Sequence, residues 1–286
     1  MTPVSTGCAA FLRGNDVILP DSGDFSLPET LDCGQAFRWK KLPDGSFFGV
    51  ARGRACHIAQ TAGEVRILGG AEDFETVWRG YFDLDRDYGE IKRRLSSDPV
   101  LARAVAHAPG VRLLRQEPWE ALCSFIISQC NNIPRIKGIV EKLCALYGEP
   151  VEAPWGEARA FPAAERVAEL EEIDLAPLHA GYRAPYILAA ARAVAAGELD
   201  LEKTGLLPCT EARAELKKLN GVGDKVANCV VLFGLHQLDA FPVDVWIKRA
   251  LAENMPEGFE PSSLGKYAGL AQQYMFYHAR ETASGR

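Results

Sequence analysis

The fold of this chain is decided by the stretch Leu216-Lys217-Lys218-Leu219-Asn220-Gly221-Val222-Gly223-Asp224-Lys225-Val226-Ala227. A helix is predicted to end near Leu219, the glycines at 221 and 223 allow a tight turn, and a second helix begins at once. The N–H groups that start this second helix would face outward, where they can hold a phosphate. The same pattern also joins ordinary pairs of helices, so a plain helix–turn–helix connection is the alternative interpretation.

Two side chains beside this turn carry candidate chemistry. Lys225 lies in the first turn of the second helix, and Asp244 closes Phe241-Pro242-Val243-Asp244 nineteen residues later. A lysine acts as a nucleophile only when unprotonated, and burial at a helix N-terminus disfavours the ammonium form. The alternative is that Lys225 contacts a phosphate and that Asp244 caps the next helix. A capping carboxylate can also assist proton removal, so the two roles of Asp244 are compatible.

Composition limits the class of protein. The chain has 286 residues, of which 48% are hydrophobic and 24% charged, and its formal net charge is −6. This length suits two or three domains, and the charge argues against non-specific coating of nucleic acid. We expect no membrane span and no secretory signal, and hence a cytoplasmic protein. The eight cysteines form no CxxC pair, so we expect free thiols and no metal site.

Hydrophobic periodicity divides the chain into two parts. Short β-prone runs from Val17 to about Gly70 predict an antiparallel meander, with one strand at Phe37–Trp39. Everything after about residue 112 has helical spacing, apart from loops predicted at 150–162 and 254–261. The predicted fold class is therefore α+β, with an N-terminal antiparallel-sheet domain followed by an all-helical region. Helices are predicted at 74–82, 88–95, 118–127, 134–147, 163–170, 184–196, 210–219, 224–235, 245–253 and 263–280.

The order leucine, Gly-Val-Gly, lysine and Pro-Val-Asp resembles the helix-hairpin-helix Gly-Pro-Asp superfamily of DNA glycosylases. Five further motifs narrow this resemblance to the 8-oxoguanine DNA glycosylase family, over roughly residues 12 to 280. They are Cys33-Gly34-Gln35-Ala36-Phe37-Arg38-Trp39, Val111-Arg112-Leu113-Leu114-Arg115-Gln116, Asn131-Asn132-Ile133-Pro134-Arg135-Ile136, Gly181-Tyr182-Arg183-Ala184 and Tyr267-Ala268-Gly269-Leu270-Ala271-Gln272. The resemblance implies a TBP-like domain at 12–112 and a glycosylase region at 113–286, with its hairpin at 212–235.

The resemblance also implies an activity. It points to a monomeric bacterial DNA N-glycosylase with AP lyase activity, which removes 8-oxoguanine opposite cytosine from double-stranded DNA in base excision repair. Lys225 would attack C1′ of the flipped nucleotide, form a Schiff base and nick the strand by β-elimination, with Asp244 assisting. No cofactor is implied as a requirement, and a monovalent or divalent ion at the hairpin carbonyls is left open.

Four residues match the family's lesion pocket. Gly34 would accept a hydrogen bond from N7–H of 8-oxoguanine, which guanine lacks. Cys229 and Phe276 would sandwich the purine, and Gln272 would meet its Watson–Crick edge. Without the resemblance, Gly34 is interpreted as a strand-bulge or turn glycine, and Cys229 and Phe276 as core residues.

A second group matches the family's contacts to DNA. Asn131 would fill the gap left by the flipped base, Tyr182 would act as a wedge, and Arg135 and Arg183 would donate to the orphaned cytosine. Without the resemblance, the Asn–Asn pair is a capping signal. The remaining DNA contacts implied are Gly221, Gly223 and Trp246.

Three positions depart from the family pattern. Cys130 stands where many relatives have asparagine, Trp246 where eukaryotic members have histidine, and Ala279 where they have aspartate. The changes at Trp246 and Ala279 bear on how phosphate is anchored beside the lesion, and they leave the lysine chemistry unaffected.

Two rival functions follow from the same residues. One is another glycosylase of the superfamily, of the endonuclease III or mismatch-adenine type, which the missing C-terminal cysteine cluster and the N-terminal sheet argue against. The other is a non-catalytic hairpin module that only binds DNA, which the combination of Lys225 and Asp244 argues against.

Overall fold

The structure of the protein is a computed structural model that describes residues 9–20, 23–153 and 156–284. Cys8, part of the predicted 150–162 loop and the last two residues of the predicted glycosylase region therefore lie outside the described residues. The described chain has an N-terminal antiparallel sheet and a helical remainder, so the predicted α+β class is confirmed.

Six antiparallel strands form the N-terminal sheet, in the spatial order β1-β2-β6-β5-β4-β3. They are β1 (Phe11–Arg13), β2 (Asp16–Pro20), β3 (Trp39–Lys41), β4 (Phe47–Ala51), β5 (Arg54–Gln60) and β6 (Glu64–Leu68). A buried row crosses four strands, because Val17 pairs with Ile67, Ile67 with Ile58, and Ile58 with Phe47. Since a slip of one residue would turn this row to the opposite face, the row fixes the register.

The strand predicted at Phe37–Trp39 is wrong. Strand β3 begins only at Trp39, and Cys33 to Arg38 form an irregular connection after helix α1 (Leu27–Leu31). Residues two apart in a strand share a face, but Phe37 packs in the helical core and Trp39 in the core of the sheet. The contact between Phe37 and Phe125, with ring centroids 5.8 Å apart, draws this segment out of the sheet.

Helices make up most of the remaining chain. They are α2 (Arg79–Tyr81), α3 (Tyr88–Leu95), α4 (Pro99–His107), α5 (Pro118–Ile127), α6 (Ile133–Tyr147), α7 (Ala164–Ala168), α8 (Ala184–Ala195), α9 (Leu201–Leu206), α10 (Cys209–Leu216), α11 (Asp224–Cys229), α12 (Val245–Asn254) and α13 (Ala268–Ser284). Wider turns at Phe74–Trp78 and Val230–Gly234 and tighter ones at Ala176–Leu178, Gly181–Arg183 and Pro261–Tyr267 adjoin them. In the part of the chain that the structure describes, no helix has the length and apolarity for a membrane crossing.

A short hairpin occupies part of the loop predicted at 150–162. Its strands are β7 (Pro150–Val151) and β8 (Ala158–Arg159). Helices α1, α4 and α9 were not predicted.

Two hydrophobic cores meet along residues 111–116. Leu113 packs in the helical core, whereas the next residue, Leu114, packs in the core of the sheet. The domain boundary predicted between residues 112 and 113 thus falls in a segment that serves both cores, and it stays a prediction.

A buried ionic cluster centred on Asp83 lies beside this segment. Asp83 is 4% exposed, and its carboxylate accepts hydrogen bonds from Arg86 Nε at 2.5 Å, Tyr88 Oη at 3.1 Å and Arg115 Nε at 3.2 Å. His236 Nε2 lies 3.6 Å from Oδ1. Burial alone would raise the pKa of Asp83, but hydrogen bonds from His236 and Arg86 outweigh it and hold this pKa below its ordinary value.

We predict that Asp83→Asn lowers the free energy of unfolding at pH 7 by about 2 kcal/mol, because it removes the buried carboxylate that accepts charge-assisted hydrogen bonds from Arg86 and Arg115. Asparagine tolerates the left-handed backbone at this position, where φ is 50°, so the variant tests the charge. Since the pKa of Asp83 is lowered in the folded state, its stabilisation should be lost as the pH falls below about 4. Urea denaturation measures both effects.

The matched control is Asp85→Asn, two residues away. Asp85 is 61% exposed and pairs with Arg79 on the surface, so its loss should cost less than about 1 kcal/mol. Equal costs for the two variants would contradict the role assigned to the buried cluster.

Candidate active site

The predicted hairpin lies between α10 and α11. Gly221 has φ +83°, and a Cβ atom there would lie 2.3 Å from the ring of Tyr186, so both the turn and its packing require glycine. Gly223 caps α11 in an extended conformation, and a Cβ atom added there would meet nothing within 4 Å. The turn therefore presents its second glycine to open space and packs its first glycine inside.

Lys225 projects from the first turn of α11 towards the end of α5. Its side chain is half-buried, and Nζ donates to Ser128 Oγ at 2.9 Å. Nζ also lies 5.3 Å from the ring centroid of Phe125, within range of a cation–π interaction. The amine is thus held in a partly enclosed site by two residues that the sequence analysis did not single out.

Lys225 and Asp244 both act electrostatically on Cys229. Cys229 is 3% exposed, and burial raises the pKa of its thiol, while Lys225 acts to lower it and Asp244 to raise it. Asp244 begins α12, and its Oδ1 accepts a hydrogen bond from Ile247 N at 2.8 Å. The predicted helix cap at Asp244 is therefore confirmed, and its carboxylate acts on the same thiol as Lys225.

Gly34 lies close to Phe276 and Ile133. A Cβ atom on Gly34 would lie 3.0 Å from Ile133 Cδ1 and 3.5 Å from Phe276 Cε1. The bulge interpretation of Gly34 is wrong, because the residue lies in the irregular connection between α1 and β3; the turn interpretation holds, with φ +85°. The structure thus brings Gly34 and Phe276 together, along with Ile133, which was not predicted.

Gln272 lies one helical turn before Phe276 on α13. It is 4% exposed, and its Oε1 atom has no hydrogen-bond partner in the structure. A buried amide oxygen without a partner is costly in a folded protein. Gln272 is therefore polar in a place where packing alone would favour an apolar side chain.

Tyr182 and Arg183 form a stacked pair beside the connection from α5 to α6. Tyr182 is 53% exposed, and the Arg183 guanidinium lies 4.5 Å from its ring centroid. Arg183 itself is 3% exposed and donates to the carbonyls of Gln129 at 2.8 Å, Ala180 at 3.1 Å and Cys130 at 3.1 Å. Of this pair, only the tyrosine presents most of its side chain to solvent.

Asn131 and Arg135 flank the start of α6. Asn131 is half-buried and donates to Ile127 O at 3.1 Å, while its neighbour Asn132 caps the helix by accepting from Arg135 N at 3.0 Å. The capping signal in the Asn–Asn pair is therefore confirmed at Asn132. The Arg135 side chain is exposed and donates to His179 O at 3.3 Å.

The departures from the family pattern also have defined places. Cys130 is exposed with φ 46°, a left-handed conformation that asparagine adopts more readily than cysteine. The half-buried Trp246 has the guanidinium of Arg249 5.6 Å from its ring centroid. Ala279 lies half-buried on α13 and packs against the helical core.

A cavity of about 570 Å³ lies elsewhere, between Arg52 of the sheet domain and Trp119, Phe161 and Leu199 of the helical region. None of the predicted site residues lines it, so cavity size does not mark the candidate site. Within residues 9–20, 23–153 and 156–284, no three His, Cys, Asp or Glu side chains come together as metal ligands.

Comparison with known proteins identifies both parts of the chain. The family model for the N-terminal domain of 8-oxoguanine DNA glycosylase matches residues 17–122, and the model for HhH-GPD superfamily base excision DNA repair proteins matches residues 123–254. N-glycosylase/DNA lyase OGG1 of Arabidopsis thaliana is 31% identical over 284 residues, which cover 88% of this chain and 77% of that protein. The probable N-glycosylase/DNA lyase of Methanothermobacter thermautotrophicus is 30% identical, and the match covers 91% of this chain and 95% of that protein.

A solved structure agrees with these relatives. The 8-oxoguanine glycosylase/lyase of Clostridium acetobutylicum, in complex with double-stranded DNA containing cytosine opposite 8-oxoG, is 37% identical. It has a TM-score of 0.91 and covers 97% of this chain and 99% of that one. The resemblance drawn from the six sequence motifs is therefore confirmed, and the N-terminal match argues against the endonuclease III and mismatch-adenine alternatives. The chain belongs to the 8-oxoguanine DNA glycosylase family.

Proposed function

We propose that this protein is a bifunctional DNA N-glycosylase and AP lyase, which excises 8-oxoguanine opposite cytosine from double-stranded DNA in base excision repair. The observation that carries the proposal is the placement of Lys225. Its amine is half-buried, lies 2.9 Å from Ser128 Oγ and acts on the same buried thiol as Asp244. A hairpin module that only binds DNA has no use for a half-buried lysine of this kind.

The proposed reaction begins with attack of the neutral Lys225 amine on C1′ of the damaged nucleotide. A bond forms between the nitrogen and C1′, and the electron pair of the C1′–N9 bond leaves with the base. Asp244 receives the proton that the nitrogen loses and can pass it to the departing base. Its negative charge also stabilises the positive charge that develops at C1′.

The lyase step follows from the same covalent bond. The C1′–O4′ bond breaks, O4′ takes up a proton, and a protonated Schiff base remains between Lys225 and the opened sugar. The Schiff base acidifies the hydrogen at C2′, whose loss expels the 3′ phosphate and cleaves the strand by β-elimination. This chemistry requires no cofactor, since nucleophile and base are both side chains. Any ion at the hairpin carbonyls would only assist phosphate binding.

Lesion recognition is proposed for the surroundings of Gly34, Cys229, Gln272 and Phe276. The carbonyl of Gly34 would accept the N7–H of 8-oxoguanine, and Phe276 and Cys229 would hold the two faces of the purine. The unpartnered Oε1 of Gln272 would accept a hydrogen bond from its Watson–Crick edge. The proposal thus gives a partner to a buried atom that has none in this structure.

DNA binding is proposed for the exposed residues around the connection from α5 to α6. Tyr182 would wedge into the stack, Asn131 would fill the gap, and Arg135 would donate to the orphaned cytosine. Arg183 would also donate to the orphaned cytosine, and to do so it would first have to release some of its hydrogen bonds to the backbone carbonyls of Gln129 and Cys130.

Phosphate binding and assembly complete the proposal. The hairpin glycines 221 and 223 would bind the DNA backbone, and Trp246, with the cation of Arg249 on its ring, would replace the family's usual phosphate anchor. The enzyme would act as a monomer, since one chain supplies every proposed site residue. We place the enzyme in the bacterial cytoplasm, because it must reach genomic DNA, which lies there.

We predict that Lys225→Gln abolishes both base excision and borohydride trapping on a duplex with 8-oxoguanine opposite cytosine, because an amide nitrogen cannot form an imine. Binding to the same duplex should persist within about threefold, since the substitution changes a bond made only during reaction. Gel-based excision, trapping and fluorescence anisotropy measure the three properties. Lys203→Gln, which alters an 84% exposed lysine, should behave as wild type. Borohydride trapping of the Lys225→Gln variant would show that another residue is the nucleophile.

Gly34→Ala should reduce the single-turnover rate on 8-oxoguanine at least about tenfold, because the new methyl group would crowd Ile133 and narrow the space before Phe276. The matched control is Gly45→Ala. Gly45 has φ +87°, close to that of Gly34, but its Cβ atom would meet nothing within 4 Å. Both variants carry backbone strain, and only Gly34→Ala should lose excision activity. Equal excision rates in the two variants would contradict the assignment of Gly34 to the lesion pocket.

Arg135→Ala tests recognition of the opposite base. Wild-type excision opposite cytosine should exceed that opposite adenine at least about tenfold, since adenine leaves buried donors unsatisfied. The variant should narrow this ratio by slowing the cytosine substrate most, as measured with four duplexes at one salt concentration. Lys142→Ala, on the same helix and also donating to a backbone carbonyl, should keep the ratio. A ratio unchanged in Arg135→Ala would assign this arginine to phosphate contacts.

A further inference from the structure

The hydroxyl of Ser128 is fixed in one orientation by two hydrogen bonds. Ser128 caps the C-terminus of α5 and is 9% exposed. Its Oγ donates to Phe125 O at 2.8 Å and accepts from Lys225 Nζ at 2.9 Å. A hydroxyl has a single hydrogen, and here that hydrogen is committed to the carbonyl. Ser128 can therefore offer Lys225 only a lone pair.

This orientation determines what the lysine can do. A neutral amine has two N–H groups and one lone pair, and only the lone pair can attack C1′. A partner that donated to the amine would occupy the lone pair, whereas Ser128 engages an N–H group and leaves the lone pair free. The ring of Phe125, 5.3 Å from Nζ, limits its freedom on the same side.

Two further groups act beside this amine. The ring of Phe125 on α5 lies 5.3 Å from Nζ, and the buried thiol of Cys229 on α11 interacts electrostatically with Lys225. Because Ser128 is neutral, removing its hydroxyl removes one hydrogen bond and leaves the charges near the amine in place.

We infer that Ser128 is a positioning residue for the lysine nucleophile: it holds Lys225 by an N–H group so that the lone pair faces the sugar. The inference rests on the proposed function of Lys225. It extends the site to a residue that neither the sequence motifs nor the hairpin assigns.

The test compares Ser128→Ala with Ser128→Thr on an 8-oxoguanine:cytosine duplex, under single-turnover conditions with enzyme in excess. Loss of one positioning bond should slow excision by Ser128→Ala about tenfold, whereas threonine keeps the hydroxyl and should restore most of the rate. Binding of a duplex with a non-hydrolysable lesion analogue should not change. Ser124→Ala, which removes another buried hydroxyl from the same helix, should retain the wild-type rate.

Rescue by the conservative variant separates positioning from a merely structural role. Only a hydroxyl can accept from Lys225 while donating to Phe125 O, so the rate should follow the hydroxyl in the order Ser128, Ser128→Thr, Ser128→Ala. A Ser128→Thr variant as slow as Ser128→Ala would overturn the inference. If Ser128→Ala does not fold, Ser128→Cys, with a similar volume and a weak acceptor, gives the same comparison.

Lys225→Gln distinguishes failure of this inference from failure of the proposed function. Excision by Lys225→Gln would refute the lysine chemistry itself. An inactive Lys225→Gln together with a Ser128→Ala variant of wild-type rate would refute only the role of Ser128.

Discussion

The side-chain amide of Gln35 joins the two halves of this molecule. Gln35 is 1% exposed; its Nε2 donates to Arg112 O at 2.7 Å, and its Oε1 accepts from Leu114 N at 2.9 Å. Its own carbonyl accepts from Gln116 Nε2 at 2.7 Å. Buried backbone groups need hydrogen-bond partners. Here the Gln35 side chain bonds the backbone of Arg112 and Leu114, as a neighbouring strand would. The neighbouring Gly34 is held opposite the helical region by these bonds.

Buried polar contacts therefore set the relation between the two cores. The Gln35 bonds and the Asp83 cluster both hold residues 112–115. Hydrophobic contacts tolerate small displacements, whereas hydrogen bonds between buried groups lose most of their energy when misaligned. A pocket with walls from both cores depends on such directional contacts.

Local patterns in the sequence predicted those features that depend on neighbouring residues. The hairpin glycines, the caps at Asp244 and Asn132, and the long helices follow from spacing and residue type alone. The strand at 37–39 and the bulge at Gly34 were predicted wrongly, because Phe37 is drawn away by Phe125, far along the chain. The contact of Ser128 with Lys225 joins residues 97 positions apart, and no local pattern signals it.

The contact between Gly34 and Phe276 has a consequence for synthesis on the ribosome. Gly34 is made long before Phe276, which lies on a helix whose Tyr274 donates to Val111 O at 3.5 Å. A nascent chain can already display Lys225 and the hairpin while it still lacks Phe276. Folding of the first domain during translation would therefore not complete the proposed lesion pocket.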